Sequence, residues 1–222
     1  MTKKEKIEFI IEQLNILYPD AKCSLNYETP YQLLIATRLS AQCTDERVNK
    51  VTPALFAKYP TLEHFANADF DELCKYIHSC GFFRAKAQSI IEMSNQLIND
   101  YNSIVPDTIE ELTKLSGIGR KTANLICGDI YNKPAIIADT HCIRLSNRLG
   151  LVKDTKDPFK VEKELSKSIP PEHQTKLCHN LVHHGRNVCS ARSPQCESCT
   201  LNSVCSFFSS AKSKRTAKST DK

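Results

Sequence analysis

An all-α fold is predicted by three observations. Apolar residues recur at helical spacing along most of the chain, first as Ile7, Ile10, Ile11, Leu14 and Leu17, then as Tyr31, Leu34 and Ile35. No β-rich alternating run with a hairpin turn occurs. Glycine is scarce, with six in 222 residues. Typical helix and loop lengths then give roughly ten helices. Their starts are marked in the sequence. Thr29-Pro30 opens one helix. Asp69 with Glu72, and Asp107 with Glu110, have the spacing of capping boxes.

Hydrophobic residues make up 41% and charged residues 25%, the balance of an ordinary soluble protein. No apolar run approaches the roughly 20 residues of a membrane-spanning helix. The start, MTKKEKIEFIIEQL, lacks the apolar core and cleavage site of a signal peptide, and its acidic residues argue against a transit peptide. An intracellular protein with no membrane partner is expected. Net charge is +5, which suggests nucleic acid, but the tail 211–222 holds five Lys/Arg against one Asp, so residues 1–210 carry only +1. Any DNA affinity in the body must come from local patches. The tail itself reads as a disordered basic end able to lie along phosphates.

Eleven cysteines are many for a chain kept in a reducing compartment, where a disulfide framework is not expected. Seven are scattered among patterned segments and read as small buried residues. The other four, Cys189, Cys196, Cys199 and Cys205, are spaced C-x6-C-x2-C-x5-C. Four thiolates this close can surround one metal centre. Structural zinc usually takes two short chelating pairs, and only one is present. The spacing suits an all-cysteine [4Fe-4S] cluster better, with zinc left open. Arg186, Arg192, Lys176, His183 and His184 lie around these cysteines and can present positive charge to a phosphate backbone.

The segment LSGIGRKTANLI (115–126) places Gly117-Ile118-Gly119 between two amphipathic stretches, with Arg120 and Lys121 opening the second. Two glycines let another backbone approach closely. The free N–H groups of the new helix favour an anion. Ile118 turns inward to hold the helices together. The pattern is a helix-hairpin-helix over 108–130, a sequence-independent grip on a DNA phosphate. Lys121 is either a phosphate-binding lysine or a nucleophile. The second role needs a neutral amine, which burial and the positive end of a helix dipole both favour. Downstream, KPAIIADTHCIRLSNRLG brings an apolar approach to Asp139, then His141, Arg144 and Arg148. Asp139 is a helix N-cap, and its carboxylate can also stabilise positive charge developing on a sugar.

LSAQCTD (39–45), LSGIGRKTAN (115–124 region), ADTHCIRLSNRLG (138–150) and HGRNVCSARSPQCESC with its final cysteine (184–205) together resemble the endonuclease III family of DNA glycosylases, over nearly the whole chain except its last dozen residues. The resemblance implies a two-lobed helix-hairpin-helix glycosylase fold. One lobe joins residues 1–22 to 133–210 and carries the [4Fe-4S] loop at 189–205. The other, 23–132, is a six-helix barrel. DNA would lie in the cleft between the lobes. It further implies a monomeric, cytoplasmic enzyme, nucleoid-associated in a bacterium, that excises oxidised pyrimidines from duplex DNA and cleaves abasic sites. Lys121 would attack the sugar and form a Schiff base, with Asp139 as partner carboxylate. Gln42 would fill the vacated stack and Phe82 would act as an apolar wedge, since weakly paired lesions are the easier to extract. Gly117, Ile118, Gly119, Arg120, His141, Arg144 and Arg186 complete the expected DNA contacts.

Two positions depart from the family pattern. Ser116 stands where a proline is common, which is expected to loosen the turn slightly. Gly81-Phe82-Phe83 stands where leucine then tyrosine is more frequent, which bears on opposite-base preference. A related adenine-specific mismatch glycosylase would not need Lys121. A non-catalytic DNA-binding module would need neither Lys121 nor Asp139.

Overall fold

The computed structural model describes residues 1–210, and the tail expected to be disordered, 211–222, lies outside them. Residues 3–204 hold eleven α-helices and three 3-10 turns, and no described residue lies in a strand, so the all-α expectation holds. The helices are α1 (Lys3–Leu17), α2 (Pro30–Ser40), α3 (Asp45–Lys58), α4 (Leu62–Ala66), α5 (Phe70–Ile77), α6 (Phe83–Tyr101), α7 (Ile109–Leu112), α8 (Arg120–Asp129), α9 (Thr140–Leu149), α10 (Pro158–Ser168) and α11 (Gln174–Asn187). A further helical turn begins at Ser206. No described helix is long and apolar enough to cross a membrane.

The chain divides into two compact units. One is Cys23–Lys133; the other joins Met1–Lys22 to the chain from Pro134 onward. In the first, α2 is apolar on nearly every side, with Leu33, Leu34, Ile35, Ala36 and Leu39 fully buried, as a helix at the centre of a core must be. Thr29 and Gln32 form its capping box, and Pro30 takes the first helical position. α6 lies against α4 and α2 and buries Ala87, Ile90, Met93 and Leu97.

Two expected capping boxes resolve differently. Asp69 does cap α5, accepting from Glu72 N–H at 2.8 Å, but the Glu72 carboxylate turns to Lys58 at 2.9 Å instead of closing the box. α7 is capped by Thr108, which accepts from Glu111 N–H, and not by Asp107. Asp107 is held elsewhere, in an ion pair with Lys133 at 2.7 Å.

In the second unit, α1 opens with a Thr2–Glu5 capping box and buries Ile7, Ile10, Ile11 and Leu14. Leu17 ends the helix and is 40% exposed, so the apolar stripe stops one turn earlier than its spacing predicts. α1 packs on α11, where Asn180 donates to Asn15 at 2.8 Å and Lys176 donates to Ala21 O at 2.9 Å. Lys176 is thus spent on the backbone after α1, not presented to a phosphate. α9 starts at Asp139 and ends at Gly150, whose φ of +72° supplies the left-handed stop.

Candidate active site and cysteine-lined cavity

The glycine hairpin is built by close approach. Gly117 has φ +75°, and a β-carbon there would stand 2.6 Å from Arg38 Nε and 2.9 Å from the Ser89 β-carbon. Arg38 is fixed by its own bonds to Ser89 Oγ (3.1 Å) and Ala85 O (3.3 Å) on α6. Ile118 is buried and pins the turn to the core. Gly119 is the N-cap of α8, with nothing within 4 Å of its would-be β-carbon. The α8 N-terminus is therefore open on the side where its first N–H groups emerge, as an anion site requires.

Ser116 does not loosen the turn. Its N–H donates to Gln96 Oε1 at 2.7 Å and its hydroxyl to Glu92 Oε2 at 2.6 Å, tying the hairpin to α6. A proline has neither donor.

Arg120 and Lys121 occupy the first turn of α8, and both are exposed. The burial expected of Lys121 is absent, because α8 turns its inner face through Ala123, Asn124, Ile126 and Cys127 instead. The amine does lie within electrostatic reach of Cys23. Burial pushes that thiol up to about 12, with Leu25 N–H and Lys121 acting in the opposite sense and Asp129 and Asp45 adding to it.

Gln42 and Phe82 share an unusual backbone. Gln42 follows α2 with φ +55° and Phe82 precedes α6 with φ +47°. Left-handed residues other than glycine cost of order 1–3 kcal/mol each and persist only where surrounding structure enforces them. Both side chains are exposed, Phe82 by 68%, so Phe82 is not a core residue. Phe83 is the one that turns back, its ring 4.5 Å from that of His78.

Between these two loops lies a residue that sequence reasoning missed. Lys86 is 1% exposed, and its ammonium donates to Leu39 O (2.7 Å) and Cys80 O (2.9 Å). A buried ammonium is costly unless such bonds compensate it. Leu39 O lies in the last turn of α2, where carbonyls lack helical partners and the dipole favours a cation. Burial lowers the Lys86 pKa, with Cys43 and Cys80 opposing and Arg38 reinforcing that shift. The available signal was its position: residues 86, 90, 93 and 97 share the buried face of α6.

In the other unit, Ala135, Ile136, Ile137 and Ala138 form the buried approach to Asp139. Asp139 is half-buried and caps α9, Oδ1 accepting from Cys142 N–H at 2.7 Å. His141 Nδ1 lies 3.1 Å from Arg144 Nη2. Arg144, expected to face DNA, instead donates to Gly185 O (3.2 Å) and Cys189 O (3.1 Å). Gly185 O, in the last turn of α11, has no helical donor, and the guanidinium supplies one while also bonding the loop beyond the helix. Arg186, in the last turn of α11, is exposed.

Cys189, Cys196, Cys199 and Cys205 all line one small cavity of about 20 Å³, whose other walls include Leu145, Leu149 and Leu201. No three Cys, His, Asp or Glu side chains among the described residues are drawn together as ligands of a single metal ion. The donor set is all sulfur. Burial and the neighbouring thiols push Cys196 up, and burial does the same for Cys199. A bound cationic centre would relieve that cost. In donor chemistry these residues fit a soft-metal or iron–sulfur centre. The loop around them is fixed by Arg148, which donates to Cys189 Sγ (3.2 Å), Ser190 O (2.7 Å) and Ala191 O (2.9 Å) and stacks on Phe207. His184 Nε2 lies 3.5 Å from Cys199 Sγ, and its Nδ1 lies 3.3 Å from Tyr18 Oη.

A helical chain with an open glycine hairpin has the build of a helix-hairpin-helix base excision repair protein. Residues 35–171 match the HhH-GPD superfamily of base excision DNA repair proteins. The endonuclease III of Synechocystis sp. is 47% identical over 205 residues, 92% of this chain and 93% of its own. That of Bacillus subtilis is 40% identical over 205 residues, covering 92% and 94%. The solved structure of a trapped endonuclease III–DNA covalent intermediate has a TM-score of 0.89 at 42% identity, covering 96% of this chain and 100% of that one. A thermostable thymine-DNA glycosylase, 21% identical with a TM-score of 0.84, shares the fold. The chain belongs to the endonuclease III family, and it is a base-excision DNA glycosylase with AP lyase activity.

Proposed function

We propose that the protein excises oxidised pyrimidines from duplex DNA through a Schiff base on Lys121. The observation that carries this reading is the exposed Lys121 amine in the first turn of α8, two residues beyond the open hairpin. A 42%-identical relative has been captured as a covalent intermediate with DNA, and such a link requires a nucleophile of this kind. Backbone N–H groups at Gly117–Gly119 and the Arg120 side chain hold a phosphate. Gln42 enters the space the flipped nucleotide leaves, and Phe82 wedges the stack. His141 and Arg186 add contacts to the sugar-phosphate backbone.

The neutral Lys121 amine forms a bond to C1′ as the N-glycosidic bond breaks, and the base leaves with its electron pair and a proton. The amine sheds one proton, which goes to the departing base; the C1′–O4′ bond then breaks with its electron pair on O4′, which takes a proton from water, leaving a C1′=N iminium. Removal of a C2′ proton then expels the 3′ phosphate by β-elimination, and water releases the lysine. Asp139 stabilises positive charge at the sugar and handles protons.

Cys189, Cys196, Cys199 and Cys205 would hold a [4Fe-4S] cluster. When bound, it supplies a rigid, redox-capable cross-link between the end of α11 and the C-terminal segment. The enzyme works as a monomer in the compartment that holds the genome.

The test is borohydride reduction during reaction with a duplex bearing one thymine glycol. A covalent protein–DNA band that is absent from Lys121→Ala is expected. Base loss without any band would remove the Schiff base from the mechanism. Tight binding without base loss would mean that the lesion class is wrong.

A further inference from the structure

We propose that Lys86 is a positioning residue for nucleotide extrusion: its buried ammonium joins the two loops that carry Gln42 and Phe82 and holds them in register. The proposal rests on the reading of those two residues as DNA contacts. Leu39 O lies three residues before Gln42, and Cys80 O lies two before Phe82. The Lys86 backbone N–H also donates to Phe82 O at 3.0 Å. One residue thus bonds both loops, and touches one of them twice.

The geometry has the features of a clamp. Gln42 and Phe82 are the two strained residues whose exposed side chains project from these loops, and each needs outside support to keep a left-handed backbone. Gln42 lies beyond the end of α2 at Ser40, and Phe82 lies between a 3-10 turn that ends at Cys80 and the start of α6 at Phe83. A charged donor at their junction, 1% exposed, is a poor choice for stability alone. An apolar side chain of that length would fill the same space without desolvating a charge. What the ammonium adds is direction. It takes two carbonyls from separate segments at 2.7 and 2.9 Å and fixes the separation of the loops that follow.

Extrusion calls for a wedge and a filler that act on one nucleotide position together, so an error of about 1 Å in their spacing is costly. A pre-formed abasic site has no stacked base to extract and depends less on that spacing. The full-length enzyme, Lys86→Met, Lys86→Gln, Gln42→Ala and Phe82→Ala are compared in single-turnover assays on one duplex. That duplex carries either thymine glycol or a pre-formed abasic site. A second readout is the fluorescence of 2-aminopurine placed beside the lesion, which rises when the stack opens.

Lys86→Met is expected to lower the ratio of base removal to abasic-site cleavage roughly tenfold and to reduce the fluorescence change. Lys86→Gln, which keeps N–H donors, recovers part of both and stands in should Lys86→Met fail to fold. Equal loss of both activities, tracking thermal stability, would overturn the proposal in favour of a purely structural lysine. If Gln42→Ala and Phe82→Ala shift the ratio and the Lys86 variants do not, the role of Lys86 fails while the loop assignment stands. If neither loop variant shifts the ratio, the loop assignment fails and the proposal falls with it.

Discussion

Arg38 and Gly117 leave each other no spare volume: a β-carbon on Gly117 would stand 2.6 Å from Arg38 Nε. The arginine cannot withdraw without giving up Ser89 and Ala85. Gly117 also has φ +75°. Gly117→Ala is therefore expected to cost about 2 kcal/mol or more, from backbone strain and displacement together. Gly119→Ala meets nothing within 4 Å and should cost only about 0.5–1 kcal/mol through a poorer N-cap. Duplex affinity should nevertheless drop for Gly119→Ala, because a methyl group then covers the α8 N–H groups. Thermal melts with fluorescence anisotropy separate the two effects. Undiminished binding by folded Gly119→Ala would count against the hairpin as the phosphate grip.

Asp139 has a capping duty that is independent of chemistry. Asparagine caps as well as aspartate, so Asp139→Asn should keep stability within about 0.5 kcal/mol, whereas Asp139→Ala should lose about 1 kcal/mol. Both should lose base excision by at least roughly a hundredfold if the carboxylate serves the sugar. Full turnover by Asp139→Asn would reduce Asp139 to its cap.

The cysteine-lined cavity makes a prediction about iron. Protein purified without oxygen should absorb near about 400 nm and contain about four iron atoms per chain. Cys199→Ser should lose both, and melting of the unit that holds α9 and α11 should move to lower temperature. Stoichiometric zinc in a colourless protein would replace the iron assignment.

Thiol reactivity follows from burial. Cys23 is pushed up to about 12, and Cys80 up to about 11, the latter also by contact with Cys43. A raised pKa means that the reactive thiolate is scarce below it, on the order of one part in a thousand or less at pH 8. Mass mapping after iodoacetamide treatment of the native protein should find both unmodified, whereas unfolded chain reacts at each. Rapid alkylation of native Cys80 would contradict the placement of this pair.

Helix content and most helix starts were legible in sequence because they are local. Thr29-Pro30 and Asp139 cap where their spacing says, and the glycine hairpin falls between α7 and α8. The errors arise where a distant partner outbids a near one. Asp107 leaves its cap for Lys133, 26 residues away, and Glu72 leaves its box for Lys58. Arg144 turns to carbonyls 41 and 45 residues away. The buried Lys86 reverses the usual expectation for a lysine, and the exposed Lys121 departs from the burial its helix position suggested, since which face of a helix meets the core depends on packing. Only the position of Lys86 on the apolar face of α6 marked it.

The unit that begins with α1 is discontinuous, and this matters during synthesis. The ribosome makes α1 first and α11 about 160 residues later, roughly ten to thirty seconds at ordinary elongation rates. Through that interval Ile7, Ile10, Ile11 and Leu14 have no α11 to cover them. The contiguous Cys23–Lys133 unit has no such wait. The nascent chain therefore carries α1 without its partner until Gln174–Asn187 has been made, and that helix is where a chaperone has the most to hold.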